Sequence, residues 1–197
     1  MKKGPYNIAI LASGSGSNAE KIAYYFSGNQ LVNCRLLVSN KAAAGVFERF
    51  KKYPHIKAFY LSNKTIREDN ELLHLLKTHE IDYIILAGFL LKIPSTIVDA
   101  FPQKILNIHP ALLPRYGGKG MYGHFVHEAV IKNKEKESGI TIHQVNEAYD
   151  EGTIIFQAEC LINMGMTAEQ LAAKVQQLEH QHYPKVIEQY ILDRIRD

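Results

Sequence analysis

The chain has 197 residues, 46% hydrophobic and 22% charged, a composition typical of a folded domain and unlike that of disordered or fibrous proteins. Its formal net charge of +3 is spread without a long block of one sign and gives no argument for a nucleic-acid partner. The two cysteines, Cys34 and Cys160, lack metal-ligand spacing and suit thiols in a reducing cytoplasm. We expect one cytoplasmic domain over residues 1–197, without a membrane span.

Strands and helices alternate through the first half of the predicted structure. Asn7–Ala12 is an apolar run followed by the loop Ser13–Gly16 and by a helix with a capping-box pair, Ser17 and Glu20. Further strands are predicted at 34–39, 56–61, 82–88 and 105–108, and further helices at 42–50 and from Thr65, which forms a second capping box with Glu68. This alternation predicts an α/β fold with a doubly wound, mostly parallel sheet.

The pattern changes after Pro114. A glycine-rich segment leads to a helix over 124–132, and two strand-like runs at 139–146 and 153–161 suit an antiparallel pair at the edge of the sheet. Thr167 and Gln170 open a long C-terminal helix, in which Pro184 should produce a kink.

The loop after the first strand, Gly14–Ala19, fits the pattern GxGxxA that binds phosphate at a helix N-terminus. A nicotinamide dinucleotide site should also have a carboxylate at the end of the second strand, but Ser39, Asn40 and Lys41 stand there. The loop therefore favours a phosphomonoester over NAD. The alternative is a tight turn that only lets strand and helix pack closely.

Asn107 and His109 end a buried strand and should point to the same face, because side chains alternate along a strand. An amide donor beside an imidazole can stabilise an oxyanion and move a proton. The alternative is a capping asparagine and a buried, hydrogen-bonded histidine. Asp150 is equally ambiguous, because Asp-x-Gly is common in turns, yet a catalytic histidine needs a carboxylate to orient it.

The other histidines indicate no metal site. His143 is interpreted as a core histidine within a strand, and the histidines predicted on helices have no metal-ligand spacing. This interpretation covers His124, His127, His180 and His182. Glu179, taken alone, would lie on a solvated helix face.

Several motifs occur together in one order along nearly the whole chain: LASGSGSN, SNKAAA, ILAGFLLKIP, LNIHPALLP, GITIHQVNEAYDEG and QLEHQHYP. With them the chain resembles the glycinamide ribonucleotide formyltransferases of purine biosynthesis, in their single-domain, folate-dependent form. The resemblance implies a Rossmann-like formyltransferase fold and transfer of a formyl group from 10-formyltetrahydrofolate to the primary amine of glycinamide ribonucleotide, without a metal. We expect a ribonucleotide-binding half at 1–100, a catalytic and folate-binding half at 101–197, and a monomer or weak homodimer.

The resemblance also implies roles for individual residues. It makes Asn107, His109 and Asp150 catalytic, with Asn107 and protonated His109 stabilising the oxyanion and Asp150 keeping His109 charged. The substrate-binding positions are Gly14, Ser15, Gly16, Ser17, Asn18 and Glu179. The folate-binding positions are Phe89, Leu90, Leu91, Lys92 and Ile93, together with Asn107 and Arg67. Arg67 is preferred over Lys64 as a basic residue that helps bind phosphate.

The chain departs from the family pattern in two places. Leu91 stands where the family often has arginine, but the contact expected there is made by backbone. Residues 117–123 form a longer and more glycine-rich loop than is usual. Two alternative functions stay open: a formyltetrahydrofolate hydrolase, in which water replaces the amine, and a non-catalytic phosphate- or nucleotide-binding module that uses only the glycine loop.

Overall fold

The computed structural model describes residues 4–68 and 70–196. Its strands are β1 (Tyr6–Leu11), β2 (Val32–Ser39), β3 (Lys57–Tyr60), β4 (Tyr83–Leu86), β5 (Ile105–His109), β6 (Glu137–Gln144) and β7 (Ile154–Leu161). Its helices are α1 (Ser17–Tyr25), α2 (Val46–Phe50), α3 (Asn63–Glu68), α4 (Glu71–Thr78), α5 (Ser95–Ala100), α6 (His124–Lys132) and α7 (Ala168–Arg196).

The strands form one sheet in the order β3-β2-β1-β4-β5-β6-β7. The first five are parallel, whereas β6 and β7 run antiparallel to their neighbours. The chain moves outward from β1 to β3 and then returns to β4, so the loops after β1 and β4 diverge at a switch point, where such sheets bind ligands. The predicted doubly wound sheet with an antiparallel edge pair and a long C-terminal helix is confirmed.

Two hydrophobic cores cover the two faces of the sheet. Ile10 of β1 packs in one core with Ile22 of α1 and Leu171 of α7, and that core also receives α2 and α6. The next residue, Leu11, faces the other core, which is formed with α3, α4 and α5. Because β1 and β4 are buried on both faces, they need the near-continuous apolar runs seen in the sequence.

The predicted division at residue 100 remains a prediction, and residues 1–3, 69 and 197 of the predicted domain lie outside the described residues. Across 4–68 and 70–196, no helix combines the length and the apolarity needed to cross a membrane.

The start of α1 differs from its predicted capping box. Gly16 precedes the helix with φ 78°, and no side chain caps it. Glu20 instead makes ion pairs with Arg49 and Lys52. A Cβ at Gly16 would lie 2.3 Å from Val46 Cγ2, so α2 leaves space only for glycine. The predicted capping box at Ser17 is therefore wrong, because a left-handed glycine turns the chain into the helix.

The predicted helix from Thr65 is also divided in two. Asn70 stands between α3 and α4 with φ 53°, a conformation that interrupts a right-handed helix. Thr65 does not cap a helix with Glu68. Thr65 lies in the first turn of α3, and its backbone N–H donates at 3.1 Å to the Oγ of Ser62, the residue that precedes the helix. The predicted capping box at Thr65 is therefore wrong.

The C-terminal helix begins as predicted. Thr167 N–H donates to Gln170 Oε1 at 3.0 Å, and Gln170 N–H donates to Thr167 Oγ1 at 3.3 Å, which is a reciprocal capping box. Helix α7 continues through Pro184 as one element to Arg196.

Tyr183 of α7 connects this helix to the centre of the sheet. The side chain is fully buried, and its hydroxyl lies 2.9 Å from the carbonyl oxygen of Leu86 and 3.1 Å from that of Leu106. Leu86 is the last residue of β4, and Leu106 precedes Asn107 in β5. A single hydroxyl of α7 thus supports both strands at the edge where their loops begin.

We predict that Tyr183→Phe lowers the free energy of unfolding by about 1–3 kcal/mol, because it leaves two buried strand carbonyls without their hydroxyl donor. Tyr190→Phe is the matched control, since the Tyr190 hydroxyl donates to the carbonyl oxygen of Gln103, which lies outside the strands. Urea unfolding measures the free energy of unfolding of both variants and of the wild type. A Tyr183→Phe protein as stable as the wild type would contradict the prediction.

Candidate active site

A cleft of about 660 Å³ opens at the carboxyl edge of the sheet, where the loops after β1, β4 and β5 meet. Its walls come from residues 14–18, 87–90, 107–110, 118–124, 127 and 149–150, with a side formed by α7. The cleft therefore lies at the switch point, with the glycine loop along one wall and the end of β5 along another.

Asn107 and His109 both line this cleft, as their spacing on one strand predicted. His109 is 3% exposed, and Asn107 is half-buried. The antiparallel register places His143 of β6 opposite Asn107 and Thr141 opposite His109. Strand β6 therefore brings a second imidazole to the pair, because directly opposed side chains on neighbouring strands are in contact.

Asp150 lies between the two histidines. Its Oδ2 is 3.5 Å from His109 Nδ1, its Oδ1 is 3.6 Å from His143 Nε2, and Gly118 N–H donates to Oδ2 at 2.9 Å. Asp150 itself has φ 56°, a left-handed conformation that aspartate tolerates better than most residues. The structure thus brings together all three residues predicted to be catalytic.

Gly152 explains the glycine of the Asp-x-Gly motif. A Cβ at this position would lie 1.7 Å from the carbonyl oxygen of Gln144, the last residue of β6. The loop can reach its position against β6 only with glycine there, so Gly152 determines where Asp150 is held.

The hydrogen bonds of His143 determine its tautomer. Its Nδ1 is 2.8 Å from the carbonyl oxygen of Gln144, which can only accept, so Nδ1 carries the hydrogen. In the neutral ring Nε2 is then an acceptor, and the Asn107 amide nitrogen donates to it at 3.1 Å. His143 thereby orients the Asn107 amide. One N–H of that amide donates to His143, and the other is available to a ligand in the cleft.

His109 has the opposite tautomer. Its Nε2 is 2.7 Å from the carbonyl oxygen of Tyr116, so Nε2 is the donor and Nδ1 faces Asp150. Protonation of Nδ1 would therefore place a hydrogen between the ring and the carboxylate.

Burial controls the charges of this group. Burial lowers the pKa of His109; the Asp150 charge and the Tyr116 carbonyl raise it, His143 lowers it further, and the net direction is downward. Burial would raise the pKa of Asp150, but contacts with His143, His109 and Gly118 N–H outweigh it and lower that pKa. The expectation that Asp150 keeps His109 protonated stays a prediction: Asp150 raises the pKa of His109, but burial of the imidazole lowers it by more.

The glycine loop is supported from behind by α2. Val46 N–H donates to the Gly14 carbonyl at 3.2 Å, and Arg49 Nε donates to the Ser15 carbonyl at 2.8 Å. Both carbonyls are thus occupied by α2, away from the start of α1, where backbone N–H groups favour an anion. This arrangement supports the predicted role of residues 14–18 in binding a phosphate.

Glu179 meets the glycine loop across the cleft. Asn18 Nδ2 donates to Glu179 Oε2 at 2.8 Å, so two residues predicted to bind substrate are directly joined. Burial raises the pKa of Glu179, and the bond from Asn18 lowers it only in part. The sequence alone placed Glu179 on a solvated helix face, whereas in the structure it lines the cleft.

The predicted folate segment divides between cleft and core. Leu90 lines the cleft, and Phe89, which is 8% exposed, belongs both to the cleft wall and to the second core. Leu91 and Ile93 are 7% and 4% exposed in the second core, where an apolar side chain is suited to the position of Leu91. Lys92 is exposed, with Nζ 5.6 Å from the centre of the Tyr149 ring.

The basic residues Arg67 and Lys64 are both exposed on α3, and neither belongs to the cleft wall among the described residues. The structure therefore does not bring Arg67 to the other predicted site residues, and its role stays a prediction.

Residues 6–187 match the family model described as "Formyl transferase". The chain belongs to the formyl transferase family. Its similarity to "Phosphoribosylglycinamide formyltransferase" of Bacillus subtilis is 36% identity over 196 residues, which covers 97% of this chain and 95% of that protein. The chloroplastic protein of that name from Arabidopsis thaliana is 40% identical over 194 residues, with 96% of this chain covered.

The chain spans only 66% of the Arabidopsis protein and 62% of its counterpart from Vigna unguiculata.

Among solved structures, "phosphoribosylglycinamide formyltransferase" from Bacillus halodurans superposes with a TM-score of 0.84 at 36% identity, covering 93% of this chain and 94% of that one. The same enzyme from Anaplasma phagocytophilum gives a TM-score of 0.87 at 33% identity, covering 95% and 87%. The predicted resemblance to this family is confirmed.

The site of this formyl transferase contains residues whose part the sequence did not predict. His143 is buried as expected of a core histidine, but it also orients Asn107 and contacts Asp150. His127 of α6 is 5% exposed in the cleft wall, and its Nδ1 has no hydrogen-bond partner within the described part of the chain. A histidine inside an otherwise apolar strand, GITIHQ, was the available signal for His143.

No group of three or more His, Cys, Asp or Glu among residues 4–68 and 70–196 is arranged to hold a metal ion. The expectation that the reaction needs no metal remains a prediction.

We predict that Asp150→Asn lowers the pKa of His109 further, because the carboxylate is the largest influence that favours the imidazolium against burial. NMR titration of histidine-labelled protein measures this pKa. Asp193→Asn is the control, because Asp193 lies on α7 and accepts a hydrogen bond from Gln189 at the surface. An unchanged or higher His109 pKa in Asp150→Asn would show that the carboxylate does not act on this ring.

Proposed function

We propose that this formyl transferase moves the formyl group of 10-formyltetrahydrofolate to the primary amine of glycinamide ribonucleotide. The observation that carries the proposal is the convergence of Asn107, His109 and Asp150 in one cleft that also contains the glycine loop. The Bacillus subtilis relative, 95% of which this chain covers, is named for formyl transfer to phosphoribosylglycinamide, which supports glycinamide ribonucleotide as the acceptor.

The ribonucleotide phosphate binds at the glycine loop in this proposal. There the carbonyls of Gly14 and Ser15 are occupied by α2, and the start of α1 offers N–H groups. Glu179 then faces the glycinamide end, because Asn18 joins it to the loop. Burial raises the pKa of Glu179 and so disfavours its carboxylate. A cationic amine beside Glu179 would favour that carboxylate.

The folate binds along the turn after β4. Leu90 and Tyr149 keep 46% and 40% of their surfaces exposed although both line the cleft, which gives a flat heterocycle apolar surfaces to cover. Asn107 and His109 lie at the end of the neighbouring strand, β5, so a formyl group on N10 can approach both.

In the reaction, the amine nitrogen attacks the formyl carbon and the carbonyl oxygen becomes an oxyanion. The free N–H of Asn107, oriented by His143, donates to that oxygen. The negative charge also favours protonation of His109, which overcomes the effect of burial at that moment.

One amine proton passes through water to the Asp150–His109 pair, and a proton is returned to N10 as the carbon–nitrogen bond to the folate breaks. The products are the formylated amine and tetrahydrofolate. His109 Nε2–H is bonded to the Tyr116 carbonyl, so this bond must be exchanged if that hydrogen is to reach the formyl oxygen.

The function is tested by measuring turnover of 10-formyltetrahydrofolate with and without glycinamide ribonucleotide. Turnover that depends on the ribonucleotide supports the transferase. Equal turnover in its absence would identify a hydrolase, and binding of phosphate compounds without turnover would identify a non-catalytic module.

We predict that Asn107→Ala lowers kcat by about 10²–10³, the usual effect of removing one oxyanion donor. Urea unfolding should show a folded protein, because Asn107 is only half-buried. Asn163→Ala is the control, since Asn163 is exposed in the turn after β7 and does not line the cleft. A kcat near that of the wild type in Asn107→Ala would exclude Asn107 as the oxyanion donor.

A further inference from the structure

Ser13 stands between the end of β1 and the glycine loop, yet its hydrogen bonds go to the turn after β4. Its backbone N–H donates to the carbonyl oxygen of Gly88 at 3.0 Å, and its Oγ accepts from Leu90 N–H at 2.9 Å. One residue, itself 2% exposed, therefore holds both ends of the Gly88–Leu90 turn.

Asn40, which follows β2, fixes the Ser13 hydroxyl. Because Leu90 N–H can only donate, the Ser13 hydroxyl hydrogen is free to go to Asn40 Oδ1, 2.6 Å away. Asn40 Nδ2 donates in turn to Asn63 Oδ1 at 2.7 Å. Asn40 is 8% exposed, so this chain of donors and acceptors is largely shielded from water.

We propose that Ser13, oriented by Asn40, is a positioning residue that sets the Gly88–Leu90 turn for folate binding. The inference rests on the proposed function, because it takes this turn as part of the folate site. Ser13 does not touch the reacting atoms; it acts through Leu90, whose side chain lines the cleft.

This assignment separates Ser13 from the glycine loop that follows it. The loop carbonyls of Gly14 and Ser15 are held by Val46 and Arg49, and these bonds do not involve the Ser13 side chain. Removing the Ser13 hydroxyl should therefore affect the folate, although the residue next in sequence belongs to the predicted ribonucleotide site.

Ser13→Ala leaves Leu90 N–H and Asn40 Oδ1 without their partner, so the turn is no longer fixed at that point. We expect the KM for 10-formyltetrahydrofolate to rise about five- to tenfold, the effect of losing one such hydrogen bond. We expect the KM for glycinamide ribonucleotide to change less than about twofold, because sites without shared partners act nearly independently.

Two variants of Asn40 test the orientation of the hydroxyl. Asn40→Ala should reproduce the effect of Ser13→Ala on the folate. Asn40→Asp should restore most of the folate affinity, because a carboxylate still accepts from Ser13 and the exposed Asn63 amide can rotate to donate to it.

The matched control is Asn33→Ala. Asn33 Nδ2 donates to Asn7 Oδ1 at 3.2 Å and so joins β1 to β2 near the first residues of both strands. Ser13 and the folate turn follow the last residues of β1 and β4, at the other edge of the sheet. A general loss of stability would affect this variant as well, whereas a positioning role would leave both of its KM values unchanged.

Hydrogen exchange of the peptide that contains Leu90 gives a readout independent of turnover. Exchange should become faster in Ser13→Ala and Asn40→Ala, but not in Asn40→Asp or Asn33→Ala. The proposal is overturned if Ser13→Ala raises both KM values equally, or if it changes neither the folate KM nor the exchange.

Failure of the proposed function has a different signature. In that case the wild type shows no turnover that depends on glycinamide ribonucleotide, and equilibrium binding of tetrahydrofolate replaces the KM. If Ser13→Ala then binds tetrahydrofolate more weakly than the wild type and exchanges faster at Leu90, the positioning role is still supported. If Ser13→Ala binds tetrahydrofolate as tightly as the wild type does, the positioning role is overturned.

Discussion

The cleft depends on the burial of one carboxylate. Asp150 lies between two histidines that are themselves 3% and 2% exposed, where an unpaired anion would be strongly unfavourable. The groups around its carboxylate come from three separate segments: His109 from β5, His143 from β6 and the glycine-rich loop, whose Gly118 backbone N–H donates to Oδ2. The second half of the fold is therefore arranged so that these segments meet around a single side chain.

This arrangement has an electrostatic consequence for catalysis. Burial lowers the pKa of His109 more than the Asp150 charge raises it, whereas the contacts around Asp150 lower the pKa of that carboxyl against the effect of burial. A neutral His109 whose Nδ1 faces Asp150 takes up a proton more readily once a second negative charge develops nearby. An oxyanion on the formyl group would provide that charge during the reaction, so the imidazolium would form where it is needed.

Much of the fold could be predicted because its cause is local. Strand β4 is buried on both faces and is correspondingly apolar, and a period of two places Asn107 and His109 on one side of β5. The failures have non-local causes. Gly16 takes a left-handed conformation beside Val46 of another helix, and the role of His143 depends on the register between β5 and β6. Neither can be read from the residues nearest in sequence.

The order of the strands explains why Ser13 can connect two parts of the cleft. Strand β1 lies between β2 and β4, so the residue that follows it is beside the ends of both neighbours. Asn40 follows β2 and the Gly88–Leu90 turn follows β4, and Ser13 bonds to each of them. The switch point of a doubly wound sheet separates two loops to make room for ligands. The buried Ser13 hydroxyl, at the end of the central strand, is placed to hold those separated loops in fixed positions relative to each other.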